Sequence, residues 1–126
     1  MLHAVETSKS VEEVAAVLPE IVANNKFGIL GVHDLRGKMR EKGLDFDKEC
    51  RVFEVCNPGQ AKKVLESDMA ISTALPCRIS VYEEGGKTKI ATLKPTALLA
   101  LFGKPELVPV AAEVERVLFK IMEEAR

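Results

Sequence analysis

The C-terminal segment, from about residue 106 to residue 124, carries an unusually regular apolar stripe. Its apolar side chains recur every three or four residues, which is the spacing of one face of a helix. They are Leu107, Val110, Ala111, Val114, Val117, Leu118, Ile121 and Met122. A helix with a single apolar face must bury that face against another element of the fold. The rest of the chain must therefore supply a partner surface for it.

Short segments rich in β-forming residues predict that this partner is a β-sheet. The predicted strands cover residues 2–7, 27–35, 50–56, 76–82 and 87–93. Gly85 and Gly86 separate the last two strands and are typical of a hairpin turn. Gly28 and Gly31 lie within the second strand, where glycine favours a bulge or a close backbone approach.

Two further helices have clear starting signals. Ser10 and Glu13 have the S-x-x-E spacing of a capping box, and an apolar face follows them. Pro19 lies inside that helix and should kink it, because proline lacks the amide hydrogen that the helix needs. Asn57 and Pro58 predict a second start, since Asn is a favoured N-cap and Pro a favoured first residue.

The segment from residue 97 to residue 102 reads Ala-Leu-Leu-Ala-Leu-Phe and is apolar all round. A surface helix usually keeps one polar side. We therefore expect some of Leu98, Leu99, Leu101 and Phe102 to form an exposed patch that pairs with its copy across a two-fold axis. The alternative is that this segment closes the open end of the core within one monomer.

The element order is βαββαββα with one or two minor helices, and no linker, repeat or low-complexity tract divides the chain. We therefore predict a single domain over residues 1–126. The expected fold class is α+β, with two layers: a mostly antiparallel sheet, and helices on one face of it. This arrangement is ferredoxin-like or related.

Composition narrows the functional class. Lys and Arg number 18 and Asp and Glu 19, which gives a net charge of −1 and argues against phosphate-driven binding of nucleic acid. The longest apolar run has far fewer than the roughly 20 residues that span a bilayer, so no membrane association is expected. The N-terminus has neither the basic nor the apolar region of a secretory signal. We therefore expect a cytoplasmic protein with reduced cysteines.

Three short motifs resemble a known family. They are Cys56-Asn57-Pro58, the run Leu75-Pro76-Cys77-Arg78-Ile79 followed by Val81-Tyr82, and His33-Asp34 in an earlier strand. In order and spacing, from about Ser10 to Thr92, the chain resembles the domains of unknown function numbered 302. The resemblance implies a small α+β domain, often a homodimer, with no settled activity. Many relatives have Gly where this chain has Cys56, so Cys56 is a poor candidate for chemistry that the family shares.

The soft metal-ligand side chains of interest are His33, Cys50, Cys56 and Cys77. No pair has C-x-x-C or H-x-x-x-H spacing, so the zinc signal is weak, and we predict no metal and no cofactor. If the fourth strand runs parallel to the third, then His33, Cys50 and Cys77 fall toward one end of the sheet. Cys56 then lies at the opposite end, roughly 20 Å from Cys50 at the usual rise per residue.

His33 and Asp34 are adjacent and could suggest an acid–base pair. Neighbours on a strand point to opposite faces, however, so these two side chains cannot form a dyad with each other. A structural or dimer-interface role for His33 is the alternative. The charged connection over residues 36–48 has mixed signs and is long, so it is either a lid over a ligand pocket or a solvated surface loop.

Two functional hypotheses follow. The first is a cytoplasmic homodimeric binding or accessory module for a small molecule or a protein, with His33, Asn57 and Cys77 as ligand-binding residues. The second is a thiol- or metal-dependent enzyme or redox protein that uses Cys77 with His33. The enzyme needs a solvent-accessible thiol of lowered pKa, whereas the binding module needs only a concave pocket.

Overall fold

The computed structural model describes all residues from Met1 to Arg126. The strands are β1 (Leu2–Thr7), β2 (Gly28–Asp34), β3 (Cys50–Cys56), β4 (Cys77–Glu84) and β5 (Lys87–Leu93). The helices are α1 (Val11–Asn24), α2 (Leu35–Glu41), α3 (Pro58–Ser67), α4 (Pro95–Ala100) and α5 (Val108–Ala125). Two 3₁₀ helices complete the chain, at Met69–Ala74 and Pro105–Leu107.

The five strands form one sheet in the order β1-β5-β4-β3-β2, and every neighbouring pair is antiparallel. Helices α1 and α5 pack against each other and cover one face of this sheet. The core between the layers contains side chains that are at most 2 % exposed, among them Val14, Leu18, Phe53, Ile79, Ile90, Leu118 and Ile121. The predicted two-layer α+β class is thus confirmed.

Two local signals are confirmed by hydrogen bonds and backbone angles. Ser10 Oγ accepts from the Glu13 amide at 3.0 Å, and Glu13 Oε1 accepts from the Ser10 amide at 3.2 Å, which completes the capping box. Gly85 and Gly86 have φ values of +61° and +75°. A two-residue hairpin turn of this kind needs positive φ at both positions, which glycine adopts without strain.

The assumption that the fourth strand runs in the same direction as the third is wrong. Val55 lies opposite Cys77 and Cys50 lies opposite Tyr82, so β3 and β4 are antiparallel. The reason is the 3₁₀ helix at Met69–Ala74, which the sequence pattern did not reveal. Helix α3 and this 3₁₀ helix together lead the chain away from the sheet and back to the same end. Strands β2 to β5 therefore form a meander, and β1 joins it beside β5.

The apolar segment around α4 is only partly exposed. Leu101 has 75 % of its surface exposed. Leu99 and Phe102, in contrast, pack against a second, smaller core within the same chain. That core consists of Val64, Ile71 and Leu107. The alternative prediction, in which the segment closes the end of the monomer core, therefore holds for Leu99 and Phe102. Neither α5 nor any other helix is long and apolar enough to cross a membrane.

Candidate functional site

A cavity of about 40 Å³ lies where β3 and β4 meet the helical layer. Helices α3, α4 and α5 and the 3₁₀ helix at Met69–Ala74 enclose it between the main core and the second core. Its wall is mostly apolar, with Val64 from α3, Leu98 from α4 and Val114 from α5. The space corresponds to about three water-sized groups. We call it the apolar cavity.

The meander explains why this cavity forms. Because β3 and β4 are antiparallel, the last residue of β3 and the first residue of β4 lie at the same end of the sheet. The chain between them folds over that end, and α4 follows β5 at the same end. Packing of these helices against one another creates the second core. The cavity is the space left between this second core and the edge of the main core.

Asn57 and Cys77, two of the predicted ligand-binding residues, both lie on the cavity wall. Asn57 is also the N-cap of α3, as predicted: its Oδ1 accepts from the Gln60 amide at 3.1 Å. Its Nδ2 donates to the Lys26 carbonyl oxygen at 3.3 Å. Both polar atoms of the Asn57 side-chain amide are therefore hydrogen-bonded within the protein. Asn57 holds the cavity wall in position and has little hydrogen-bonding capacity left for a ligand.

Burial controls the chemistry of the cysteines here. It raises the pKa of the Cys77 thiol to about 11, with a smaller contribution from the neighbouring Cys56, while Arg78 acts in the opposite direction. Burial also raises the pKa of Cys56, which lies on the same wall. Both thiols are therefore protonated at neutral pH. A thiol with a raised pKa is a weak nucleophile, because the thiolate is the reactive form.

His33 lies apart from this cavity, and the expectation that Cys77 shares an end of the sheet with His33 and Cys50 is wrong. On β3, His33 is opposite Val52, whereas Cys77 is opposite Val55. Positions three residues apart on a strand are separated by roughly 10 Å and point to opposite faces. His33 is therefore on the face without helices. Cys50, at the start of β3, is at the opposite end of the sheet from Cys77.

The same register changes the argument about disulfides. Cys56 ends β3 beside the first residue of β4, so Cys56 and Cys77 are at the same end of the sheet and not at opposite ends as expected. Only Cys50 is at the far end. All three cysteines are free in the structure. The expectation of reduced cysteines stays a prediction, and distance across the sheet supports it for Cys50 alone.

Sequence analysis missed the residue that pairs with His33. Glu54 Oε1 lies 3.0 Å from His33 Nε2, and the other Glu54 oxygen lies 3.9 Å from the Arg78 guanidinium. Gly31 makes room for this pair, because a Cβ there would lie 2.8 Å from Glu54 Oε1. An antiparallel register between β2 and β3 would have identified Glu54. Asp34, the adjacent acid, instead caps α2 by accepting from the Gly37 amide at 3.0 Å.

Gln60 is the second residue that was missed as a site candidate. It occupies the position where a capping-box partner of Asn57 would be, but its side chain does not complete such a box. Its Oε1 is buried and has no hydrogen-bond partner. Gln60 lies on the wall of the apolar cavity. This unpaired acceptor is therefore a polar group that a bound molecule could satisfy.

The charged connection after β2 does not act as a lid on this cavity. Its first half forms α2, and Arg36 donates to the Asp47 carbonyl oxygen at 3.3 Å and forms an ion pair with Glu49. None of its residues lines the apolar cavity, which is at the other end of the sheet. The alternative, a surface segment anchored to the sheet, describes it better.

Comparison with known proteins gives the family and the fold. No curated protein matches the chain. A crystal structure described as an uncharacterized conserved DUF302 protein from Bacillus stearothermophilus is 35 % identical, covers 99 % of this chain and 98 % of its own, and has a TM-score of 0.93. Residues 3–125 match the sequence profile of the domain of unknown function DUF302, a longer match than the motifs alone suggested. The chain belongs to the DUF302 family.

Proposed function

We propose that this protein is a binding module that holds a small, largely apolar molecule in the apolar cavity. The observation that carries the proposal is the combination of an apolar wall with one buried, unpaired acceptor, Gln60 Oε1. Pockets for small molecules are typically apolar with few polar groups that fix orientation. A buried acceptor without a partner costs about 1–3 kcal/mol, and a ligand with one donor would remove that cost.

The second hypothesis, a thiol- or metal-dependent enzyme using Cys77 with His33, has less support. It requires the two side chains to share a site, and they lie on opposite faces of the sheet. It also requires a thiol of lowered pKa, whereas burial raises the pKa of Cys77 to about 11. His33 with Glu54 stays a separate polar pair on the open face, where a role at an interface suits its half-exposed position.

We further propose that the module works in the cytoplasm as a homodimer. Three free cysteines support a reducing compartment. The sheet face without helices supports an interface, because Leu2 and Leu93 lie opposite each other there and are 58 % and 47 % exposed. The segment around α4 offers less apolar surface than expected, since Leu99 and Phe102 are covered within the chain.

Nuclear magnetic resonance of the amide groups tests the binding function. Titration of the native protein with 1-butanol, whose short chain suits the volume of the cavity, should shift amide resonances around Val64, Cys77 and Leu98 in a saturable manner. Ala61→Leu adds volume to the cavity wall and should abolish these shifts. Ala112→Leu, at an exposed position of α5, is the matched control and should leave them unchanged.

Two results would contradict the proposal: unsaturable shifts spread over the whole surface, or the same binding in Ala61→Leu as in the native protein. Added methylene groups in a packed region cost about 1–3 kcal/mol, so Ala61→Leu must first show a folded spectrum. If it does not, Val64→Ala serves instead. That variant enlarges the cavity and should strengthen binding of 1-butanol.

A further inference from the structure

We infer that the ligand is a short-chain carboxylic acid with a hydrogen-bond donor, such as a hydroxyl group, next to its carboxylate. This inference rests on the proposed function, because it places the apolar chain of that acid in the apolar cavity. The acidic head would lie in an adjoining groove of about 300 Å³, which we call the basic groove. Lys26 and Lys120 line this groove.

The cavity and the groove are continuous enough for one molecule to occupy both. They share wall residues Phe27, Asn57, Gln60 and Val114. The cavity accepts only about three water-sized groups, so the apolar chain is short. The groove is several times larger and polar, and it accommodates a hydrated head group. The two spaces therefore fit a molecule with a small apolar end and a polar end.

The charges of the groove select an anion. Arg116 is already neutralised by Glu113, with N–O distances of 2.7 and 3.0 Å. Lys26 and Lys120 form no salt bridge within the chain, so two positive charges are available to a ligand. The backbone of Lys26 is fixed at the rim, because its carbonyl oxygen accepts from Asn57 Nδ2.

The position of Gln60 indicates where the ligand carries its hydrogen-bond donor, which is between the acidic head and the apolar chain of the ligand. It is one of the residues shared by the two spaces, and its buried Oε1 lacks a hydrogen-bond donor. A carboxylate has no hydrogen to donate at neutral pH, so the donor must be a separate group of the ligand. A hydroxyl group on the carbon next to the carboxylate would lie at the junction of cavity and groove. A 2-hydroxy acid is therefore the chemical class that the wall recognises.

Three probes with matched five-carbon acyl chains test this inference: methyl pentanoate, pentanoate and 2-hydroxypentanoate. Methyl pentanoate has neither a charge nor a hydrogen-bond donor, so its binding reports the apolar chain alone. Pentanoate should bind about three- to tenfold more tightly than methyl pentanoate, since each exposed ion pair contributes modestly. The hydroxyl group should add a further gain of about two- to tenfold. The advantage of pentanoate over methyl pentanoate should shrink as salt is added, because salt screens exposed charges.

Charge variants show whether the groove is responsible. The double variant Lys26→Gln and Lys120→Gln should lower the affinity for pentanoate to that for methyl pentanoate, and it should leave binding of the uncharged ester unchanged. The control double variant, Lys42→Gln and Lys63→Gln, makes the same change in net charge at exposed positions outside the groove. It should behave like the native protein.

The outcomes separate this inference from the proposed function. If methyl pentanoate binds in the cavity but pentanoate binds no more tightly, or if both double variants lose the same affinity, the anionic head is wrong while the cavity stands. If 2-hydroxypentanoate gains nothing over pentanoate, the donor opposite Gln60 is wrong. If no probe binds at all, the proposed function itself is overturned.

Discussion

At the scale of single residues, the surroundings of Cys77 determine what its thiol can do. It is the first residue of β4, and it packs against the main core while it faces the apolar cavity. The sequence identified it as a candidate site residue, but the sign of its pKa shift depends on burial, which comes from elements distant in the chain. Cys77 is therefore a residue of the cavity wall with a protonated thiol, and it is a poor candidate for a nucleophile.

The raised pKa of Cys77 predicts how stability depends on pH. The folded protein holds the thiol proton up to about pH 11, whereas the unfolded chain releases it near pH 9. The unfolded state therefore binds fewer protons between these values, and stability falls as pH rises through this range. The loss should reach roughly 2 to 3 kcal/mol by the top of the range.

Urea denaturation of the native protein and of Cys77→Ala at a series of pH values measures this effect. The variant should be less stable at neutral pH, because it loses buried side-chain volume. Its stability should then decline less steeply than that of the native protein from pH 9 to pH 11. Parallel declines in the two proteins would show that the thiol is not protected from ionisation.

The residues that sequence analysis missed, Glu54 and Gln60, depend on register and on packing. Glu54 meets His33 only because β2 and β3 pair with a bulge between Ile29 and Gly31, and the exact position of a bulge is not visible in composition. Gln60 becomes unusual only when α3 packs and buries its Oε1. The two residues illustrate how the partners of a site depend on tertiary structure.

Among the helices and strands, strong local sequence signals were sufficient to predict where an element begins or ends. Strands β1, β3 and β5 have the predicted bounds, and the capping box starts α1 at the predicted residue. The 3₁₀ helix at Met69–Ala74 lacked such a signal, because its six residues are too few to establish a helical period. That short element reverses the direction of β4. Because the element was not predicted, the expected position of Cys77 was at the wrong end of the sheet.

The cap of α3 gives a prediction at this scale. Asn57→Ala should lower the free energy of unfolding by about 1 kcal/mol, because the Gln60 amide loses its acceptor and the bond to Lys26 is also lost. Asn24→Ala, at an exposed position near the end of α1, should change stability by less than about 0.5 kcal/mol. Denaturation midpoints of the two variants provide the comparison. An unchanged midpoint for Asn57→Ala would remove the capping role.

At the scale of the whole molecule, the two faces of the sheet have different roles. One face is covered by α1 and α5, and its end supports the second core and the apolar cavity. The other face has no helix and exposes Leu2 and Leu93 together with the His33–Glu54 pair. The predicted layers could be derived from helical and strand periodicity, but the cavity could not, because it is a gap between elements.

This asymmetry predicts a dimer through the open face. Sedimentation equilibrium at micromolar concentration should give twice the chain mass of 13.8 kDa. Leu93→Asp, on the open face, should convert the dimer into a folded monomer. Leu101→Asp, at the exposed end of the α4 segment, should leave it intact. The reverse pattern would move the interface to the α4 segment, and a native monomer would end the dimer proposal.

The proposed function requires that the end of the sheet encloses an apolar space able to hold a ligand. Diffraction from a crystal equilibrated with xenon gas tests it directly, since xenon occupies dry apolar cavities. Xenon should occupy a site in contact with Val64, Cys77 and Leu98. A cavity that stays empty under xenon, or one filled by ordered water molecules, would contradict it.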